Sequence, residues 1–145
     1  VYTNNLIGTQ SNQIDFADND LKDVFTSRTF CLFEDIEKIK KIGLAKGGSL
    51  DNAVVFGTDG TLNEEGLRTI NEPAKHKALD AIGDLFLTGN SVLGHIQAYC
   101  AGHSLMHLAV KEIFSDASNW EIITLSEQPD YAIMPDQFST STVSL

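Results

Sequence analysis

The chain has 145 residues, enough for one domain with a core of ordinary size. Its hydrophobic content of 42% and charged fraction of 21% indicate a globular protein and exclude a disordered one. The formal net charge of −10 disfavours nucleic acid as a partner, because proteins that bind nucleic acid neutralise phosphates with clustered Lys and Arg.

The two cysteines, Cys31 and Cys100, are far apart and form no CxxC pair. We therefore expect two reduced thiols and a cytoplasmic location. No apolar run has the length of a membrane span, and no signal-peptide pattern opens the chain. The first residue is Val1 and not Met, which leads us to expect a fragment or a processed product.

Residue patterns in the first half of the chain predict two strands and two helices. Alternation in "NQIDF" predicts a short strand, after which Asp18, Asn19 or Asp20 offers a helix cap. A helix is predicted in "CLFEDIEKIKKIG", with Gly43 as its C-terminal stop. "DNAVVFG" reads as a buried strand and "GTDG" as a turn.

The second half predicts two further helices. One runs from about Asn71 to Leu87, with Pro73 in its first turn and Gly89 after its end. "SVLGHIQAYC" reads as a strand, "HSLMHLAVKEIF" as a helix beginning near His103, and "WEIITL" as another strand. The Ser/Thr-rich tail, about 129–145, is expected to fray. Strands and helices alternate without a strict βαβ rhythm, so the predicted fold class is α+β.

Three polar side chains share one stripe of the predicted helix at 71–87. His76, Asp80 and Asp84 are each four residues apart, and the stripe borders the apolar face. Carboxylates at the edge of a core are costly unless they are paired or bind a metal. His76 and Asp80 can converge on one zinc ion. From spacing alone, an ordinary solvated helix face is the more frequent outcome.

A second histidine stands at the predicted start of the last helix. A helix N-terminus disfavours a positive imidazole at His103, and a nearby carboxylate such as Asp84 would restore it. A charged histidine beside a metal site can serve as a general acid or stabilise an oxyanion. The alternatives are a capping histidine without chemistry, or His103 and His107 as a metal pair, with simple packing as the plainer role for His107. No role is assigned to His95.

Five segments occur in one order and with characteristic spacing. They are "SRTF" at 27–30, "GGSLDNAVV" at 47–55, "LNEEGLR" at 62–68, "HKALDAIGDL" at 76–85 and "AYCAGHSL" at 98–105. Together they resemble the UDP-3-O-acyl-N-acetylglucosamine deacetylases, zinc enzymes of lipid A biosynthesis, over about the C-terminal half of the enzyme. The resemblance implies an α+β fold of two similar halves. Residues 1–145 would form the second half, and about 30–60 a βαβ insert that shapes the passage for the acyl chain.

The resemblance also implies a role for individual residues. His76 and Asp80 match two of the three zinc ligands, and His103 matches the histidine that stabilises or protonates in the reaction. Asp84 matches the aspartate that orients this histidine, and Thr29 a threonine that helps hold the oxyanion. Substrate contacts are expected from Phe30 and Lys77 and, along the acyl passage, from Ile36, Ser49, Leu50 and Val55. For the apolar members of this group, ordinary core packing is the alternative.

The implied reaction is hydrolysis of the N-acetyl amide of the UDP-sugar lipid, which gives a free amine and acetate. The family's third zinc ligand and its general base belong to the N-terminal half and have no counterpart before His76. We therefore expect the chain to need that half as a partner and to be catalytically silent alone. The alternatives are a non-catalytic domain that binds a nucleotide-sugar or a partner protein, and a plain α+β scaffold.

Overall fold

The computed structural model describes residues 1–16 and 21–124. The chain divides into two compact units, Val1–Leu79 and Asp80–Leu145, and the division falls inside a long helix. The predicted caps Asp18, Asn19 and Asp20 lie outside the described residues, as does the tail at 129–145.

The first unit opens with a hairpin that the sequence analysis did not predict. Strand β1 (Tyr2–Asn4) pairs antiparallel with β2 (Gly8–Gln10). The Asn4 side chain accepts a hydrogen bond from the Leu6 N–H at 2.9 Å, and Gly8 takes a left-handed φ of 79°. The strand predicted in "NQIDF" is wrong, because residues 12–16 are irregular and pair with no strand among the described residues.

A three-stranded sheet forms the centre of the first unit. In chain order, its region contains α1 (Lys22–Phe25), β3 (Thr29–Leu32), a 3-10 turn (Phe33–Asp35), α2 (Ile36–Lys41), β4 (Ala53–Gly57) and β5 (Gly60–Thr61). Strand β4 pairs parallel with β3 and antiparallel with β5. The predicted helix is shorter than expected, because Leu32 ends β3 and Phe33 begins the 3-10 turn. Elements β3, α2 and β4 make a βαβ unit over the predicted insert.

Strand β4 supplies much of the buried apolar surface in the first unit. Val54, Val55 and Phe56 are consecutive and buried, as expected for a strand covered on both faces. The Phe56 ring meets the Phe30 ring of β3 edge to face at 6.4 Å between centroids. The predicted strand in "DNAVVFG" is confirmed.

Asn63 ties the segment after β5 to the start of β4. Its side chain is buried and accepts a hydrogen bond from the Val55 N–H at 3.0 Å. Its amide donates to the carbonyl oxygens of Leu50 at 2.7 Å and Ala53 at 2.8 Å. Three backbone groups, in one buried and two partly buried hydrogen bonds, therefore depend on one side chain.

A buried ion pair joins the segment before β3 to the long helix. Arg28 and Glu72 are 3% and 0% exposed, and Nε of Arg28 lies 3.0 Å from Oε1 of Glu72. Burial favours a higher pKa for the Glu72 carboxyl, but hydrogen bonds from Arg28 and from backbone N–H groups outweigh it and hold the pKa below its ordinary value. This contribution to stability is complete at neutral pH and is lost as the pH falls through the lowered pKa.

Two long helices confirm the two helices predicted for the second half of the chain. Helix α3 (Glu72–Phe86) follows Asn71, whose carbonyl accepts the Lys75 N–H at 3.0 Å, and Gly89 beyond its end has a left-handed φ of 77°. Helix α4 (His103–Ser115) begins at the predicted residue. With the small mixed sheet, these helices confirm the α+β class.

Two predicted strands in the second unit are wrong. Residues 91–100 and 120–124 have apolar residues at suitable positions, but neither segment pairs with a strand within the described residues. Gly94 interrupts the first segment, and Trp120 in the second packs its ring on Phe114 at 5.2 Å. Both cysteines are free thiols, as expected. No described helix is long and apolar enough to cross a membrane.

We predict that Asn63→Ala lowers the free energy of unfolding by about 2–4 kcal/mol, because buried backbone groups lose their partners at roughly 1–3 kcal/mol each. Urea unfolding of the protein measures this change. Asn52→Ala is the matched control, since this exposed amide also bonds two backbone groups, Ser49 N–H and Gly47 C=O, both at 2.9 Å. Water can replace those partners, so the control should lose less than about 1 kcal/mol. Equal losses would contradict the role of Asn63.

Candidate active site

Helix α3 carries four of the predicted site residues. His76 and Lys77 lie in its first half, within the first unit, and Asp80 and Asp84 in its second half, within the second unit. His76 and Asp80 are half-buried and Asp84 is buried. Residues four apart on a helix lie on one face. Of the stripe, Asp84 is thus covered from solvent, whereas His76 and Asp80 remain partly solvated.

The His76 ring is oriented by a backbone carbonyl. Its Nδ1 lies 3.1 Å from the carbonyl oxygen of Ser27, a buried residue just before β3. Because a carbonyl oxygen only accepts, Nδ1 carries the hydrogen and the lone pair is on Nε2. Histidines that ligate metals typically donate their other N–H to such a carbonyl or to a carboxylate. His76 thus has the tautomer of a metal ligand.

Two predicted substrate residues meet in the first unit. The Nζ of Lys77 lies 5.8 Å from the centroid of the Phe30 ring, within reach of a cation–π contact. The Phe30 ring also contacts the Tyr2 ring edge to face, with 5.1 Å between the ring centroids. Thr29, the predicted oxyanion residue, begins β3 and is exposed.

The predicted residues of the acyl passage are spread over the βαβ unit. Ile36 begins α2 and is half-buried, whereas Ser49 and Leu50 are exposed in the loop before β4. Val55 is 6% exposed inside β4. None of these four side chains lines the groove described next. A shallow groove of about 370 Å³ in this unit is lined instead by residues that include Phe33, Phe56 and Leu62.

In the second unit, Asp84 holds the ring of His103. The Nδ1 atom of His103 lies 2.9 Å from Oδ2 and 3.0 Å from Oδ1 of the carboxylate. The Asp84 side chain is 8% exposed and that of His103 is 60% exposed, so a buried carboxylate presents an accessible imidazole. Its Nε2 lies 3.9 Å from Oδ1 of Asp80. Because a carboxylate oxygen only accepts, Nδ1 of His103 carries a hydrogen in this contact.

His107 also contacts Asp84. Its Nε2 lies 3.2 Å from Oδ1 of that carboxylate, and its side chain is 54% exposed, so the expectation that it simply packs is wrong. Ligand atoms of Asp84, His103 and His107 all lie within 4.8 Å of one another. Among the described residues, this is the one such group of three that could hold a metal ion. In the sequence, this group was indicated by the four-residue spacing of His103 and His107.

Three residues near His76 were missed by sequence reasoning. Ser27 and Arg28 belong to the "SRTF" segment, and Glu72 opens α3, but their partners are 44 or more positions away in the chain. The sequence signal for this contact was the charged Arg28 inside the "SRTF" segment. A charge in a motif does not reveal which distant residue it pairs with.

Comparison with known proteins agrees with this geometry. The model of the UDP-3-O-acyl N-acetylglycosamine deacetylase (LpxC) family matches residues 1–115. The UDP-3-O-acyl-N-acetylglucosamine deacetylase of Campylobacter fetus subsp. fetus is 44% identical over 128 residues, 88% of this chain and 44% of that protein. Its counterpart in Myxococcus xanthus is 46% identical over 119 residues, 81% of this chain and 38% of that protein.

A third relative of the same name, from Pseudomonas entomophila, is 45% identical over 116 residues, 79% of this chain and 38% of that protein. The chain therefore spans less than half the length of these relatives. The family match covers both helices that carry the candidate site. This chain belongs to the UDP-3-O-acyl N-acetylglycosamine deacetylase family.

Proposed function

We propose that this chain contributes to zinc-dependent hydrolysis of the N-acetyl group of UDP-3-O-acyl-N-acetylglucosamine, giving a free amine and acetate in lipid A biosynthesis. The observation that carries this function is the buried Asp84 carboxylate that holds His103, one helical turn beyond Asp80. The names of the relatives specify the substrate, and their similarity to this chain supports the same substrate here.

His76 and Asp80 are the zinc ligands in this proposal. Imidazole nitrogen and carboxylate oxygen suit zinc, and the Nδ1–H of His76 bonded to Ser27 is the expected outer support. When bound, zinc supplies Lewis-acid activation of the acetyl carbonyl and of water. A catalytic zinc site has three protein ligands. We assign the third ligand and the general base to the remaining length of the enzyme, since the relatives are more than twice as long as the matched span.

His103 acts on the reacting amide through Nε2. Its Nδ1 is engaged by Asp84, so Nε2 is the nitrogen that donates a proton. An imidazolium here stabilises the oxyanion that forms at the acetyl carbon, or protonates the departing amine nitrogen. The hydroxyl of Thr29 is exposed at the start of β3 and donates a further hydrogen bond to that oxyanion.

The substrate is held by the first unit. Lys77 pairs with the anionic part of the sugar nucleotide, and Phe30 beneath it supplies an apolar surface. We propose that the βαβ unit at about 30–60, with Ile36, Ser49, Leu50 and Val55, shapes the passage for the acyl chain. The parallel pairing of β3 and β4 on either side of α2 in the chain supports a βαβ unit at this place. A cytoplasmic location completes the proposal.

We predict that His76→Ala and Asp80→Ala each abolish stoichiometric zinc binding, because each removes one of the few protein ligands. Elemental analysis of the full-length protein after dialysis measures the zinc content. His107→Ala is the matched control, since it removes a ligand of the rival Asp84, His103 and His107 group. Retained zinc in the control is expected. Zinc lost from the control but kept by His76→Ala would place the metal at the rival group instead.

We predict that Asp84→Asn lowers kcat/KM by about 100- to 10,000-fold while zinc content is unchanged, because the amide neither charges nor correctly orients His103. Steady-state deacetylation by the full-length protein measures the loss. Glu112→Gln, which replaces an exposed acid near the end of α4, is the control and should keep full activity. Full activity in Asp84→Asn would rule out the assigned role of His103. A folded, zinc-free, inactive parent protein would favour the non-catalytic binding domain.

A further inference from the structure

Glu72 is a carboxylate with no exposed surface in the first turn of α3, four residues before His76. Its Oε1 accepts the backbone N–H of Arg28 at 2.9 Å and Nε of Arg28 at 3.0 Å. Its Oε2 accepts the backbone N–H of Arg68 at 2.7 Å and Nη2 of Arg28 at 3.2 Å. Each carboxylate oxygen thus has two donors, so the group is held in one orientation.

Arg28 is equally well fixed. Beyond Glu72, its Nη2 donates to the Gly66 carbonyl oxygen at 2.7 Å, and its Nη1 contacts the Glu65 carboxylate. A buried ion pair is weak evidence for stability, because well-packed apolar residues of similar volume often serve as well. The informative feature is therefore the geometry that the pair imposes on the backbone.

The peptide unit between Ser27 and Arg28 is held at both ends by α3. Its N–H end belongs to Arg28 and donates to Glu72 at 2.9 Å. Its C=O end belongs to Ser27 and lies 3.1 Å from Nδ1 of His76. A peptide unit is planar and, in this chain, trans, so its N–H and C=O point in opposite directions. One rigid plane therefore spans the helical turn from residue 72 to residue 76.

We propose that Glu72 is a positioning residue for His76, because it fixes the peptide plane whose carbonyl selects the tautomer and the orientation of the His76 ring. This role rests on the proposed function of His76 as a zinc ligand. The Glu72 carboxylate accepts the N–H of this peptide unit, which orients the Ser27 carbonyl toward Nδ1 of His76. Nδ1 then carries the hydrogen, and in the neutral ring Nε2 has the lone pair that binds a metal. The segments "SRTF" and "LNEEGLR" both contact Glu72, through the backbone N–H groups of Arg28 and Arg68.

The test compares Glu72→Gln with Glu65→Gln in the full-length protein. Both variants remove a carboxylate that contacts Arg28, but Glu65 touches only the guanidinium and not the peptide unit. We expect zinc affinity, measured by competition with a chromophoric chelator, to fall about 10- to 100-fold in Glu72→Gln. In Glu65→Gln the zinc affinity should stay within about twofold, since the hydrogen bond from the Arg28 N–H to Glu72 is kept.

A second readout needs no metal and no activity. Nitrogen NMR of labelled histidine in the metal-free protein, in alkaline buffer where imidazole is neutral, reports which ring nitrogen carries the hydrogen. We expect Nδ1–H at His76 in the parent and in Glu65→Gln, and a mixture of tautomers in Glu72→Gln. An unchanged tautomer together with zinc affinity within twofold of the parent would overturn the role of Glu72. Equal effects in the two variants would also overturn it, since they would report a general loss of structure.

If Glu72→Gln does not fold, the double variant Arg28→Met with Glu72→Met removes both charges together and avoids a buried unpaired arginine. The same loss of zinc affinity and of the single tautomer is expected, and a parent-like double variant would overturn the role. Failure of the proposed function is distinguishable from these outcomes. In that case the parent protein itself binds no zinc, while the tautomer of His76 still decides whether Glu72 positions the ring.

Discussion

A single peptide unit, between Ser27 and Arg28, lies along the first turns of α3 and is bound at both ends by its side chains. The Glu72 carboxylate accepts hydrogen bonds from the N–H of this unit and from the Arg28 guanidinium. The Nδ1–H of His76 donates to its C=O. Removing one partner of a buried pair leaves an uncompensated charge, at a cost of about 3–5 kcal/mol. The start of β3, the entry to α3 and the orientation of His76 therefore depend on one set of hydrogen bonds.

Helix α3 gives the site its precision. Its side chains at 76, 80 and 84 recur every four residues, and side chains on a helix are more closely defined than those on a loop. Two of the histidines are held through Nδ1, His76 by a neutral carbonyl and His103 by the Asp84 carboxylate. In the proposed function, this difference in partner separates the metal ligand His76 from His103, which accepts and donates a proton.

Local signals in the sequence predicted the parts of the fold that local physics controls. Helices α3 and α4 follow from apolar spacing and from end signals such as Gly89, and β4 from its run of Val and Phe. The strands predicted at 91–100 and 120–124 failed, because a strand needs a partner that lies elsewhere in the chain. The site divides in the same way. Helical spacing predicted the stripe at 76, 80 and 84, whereas the roles of Ser27 and Glu72 arise from contacts across more than forty residues.

In the proposed function, His76 ligates the metal through Nε2 while its Nδ1–H is held by Ser27. Heteronuclear NMR of the full-length protein tests this directly, with labelled histidine and an NMR-active cadmium isotope in place of zinc. We expect a scalar coupling between the metal and Nε2 of His76, together with a protected Nδ1–H on the same ring. A metal coupled to His103 and His107, with none at His76, would contradict it.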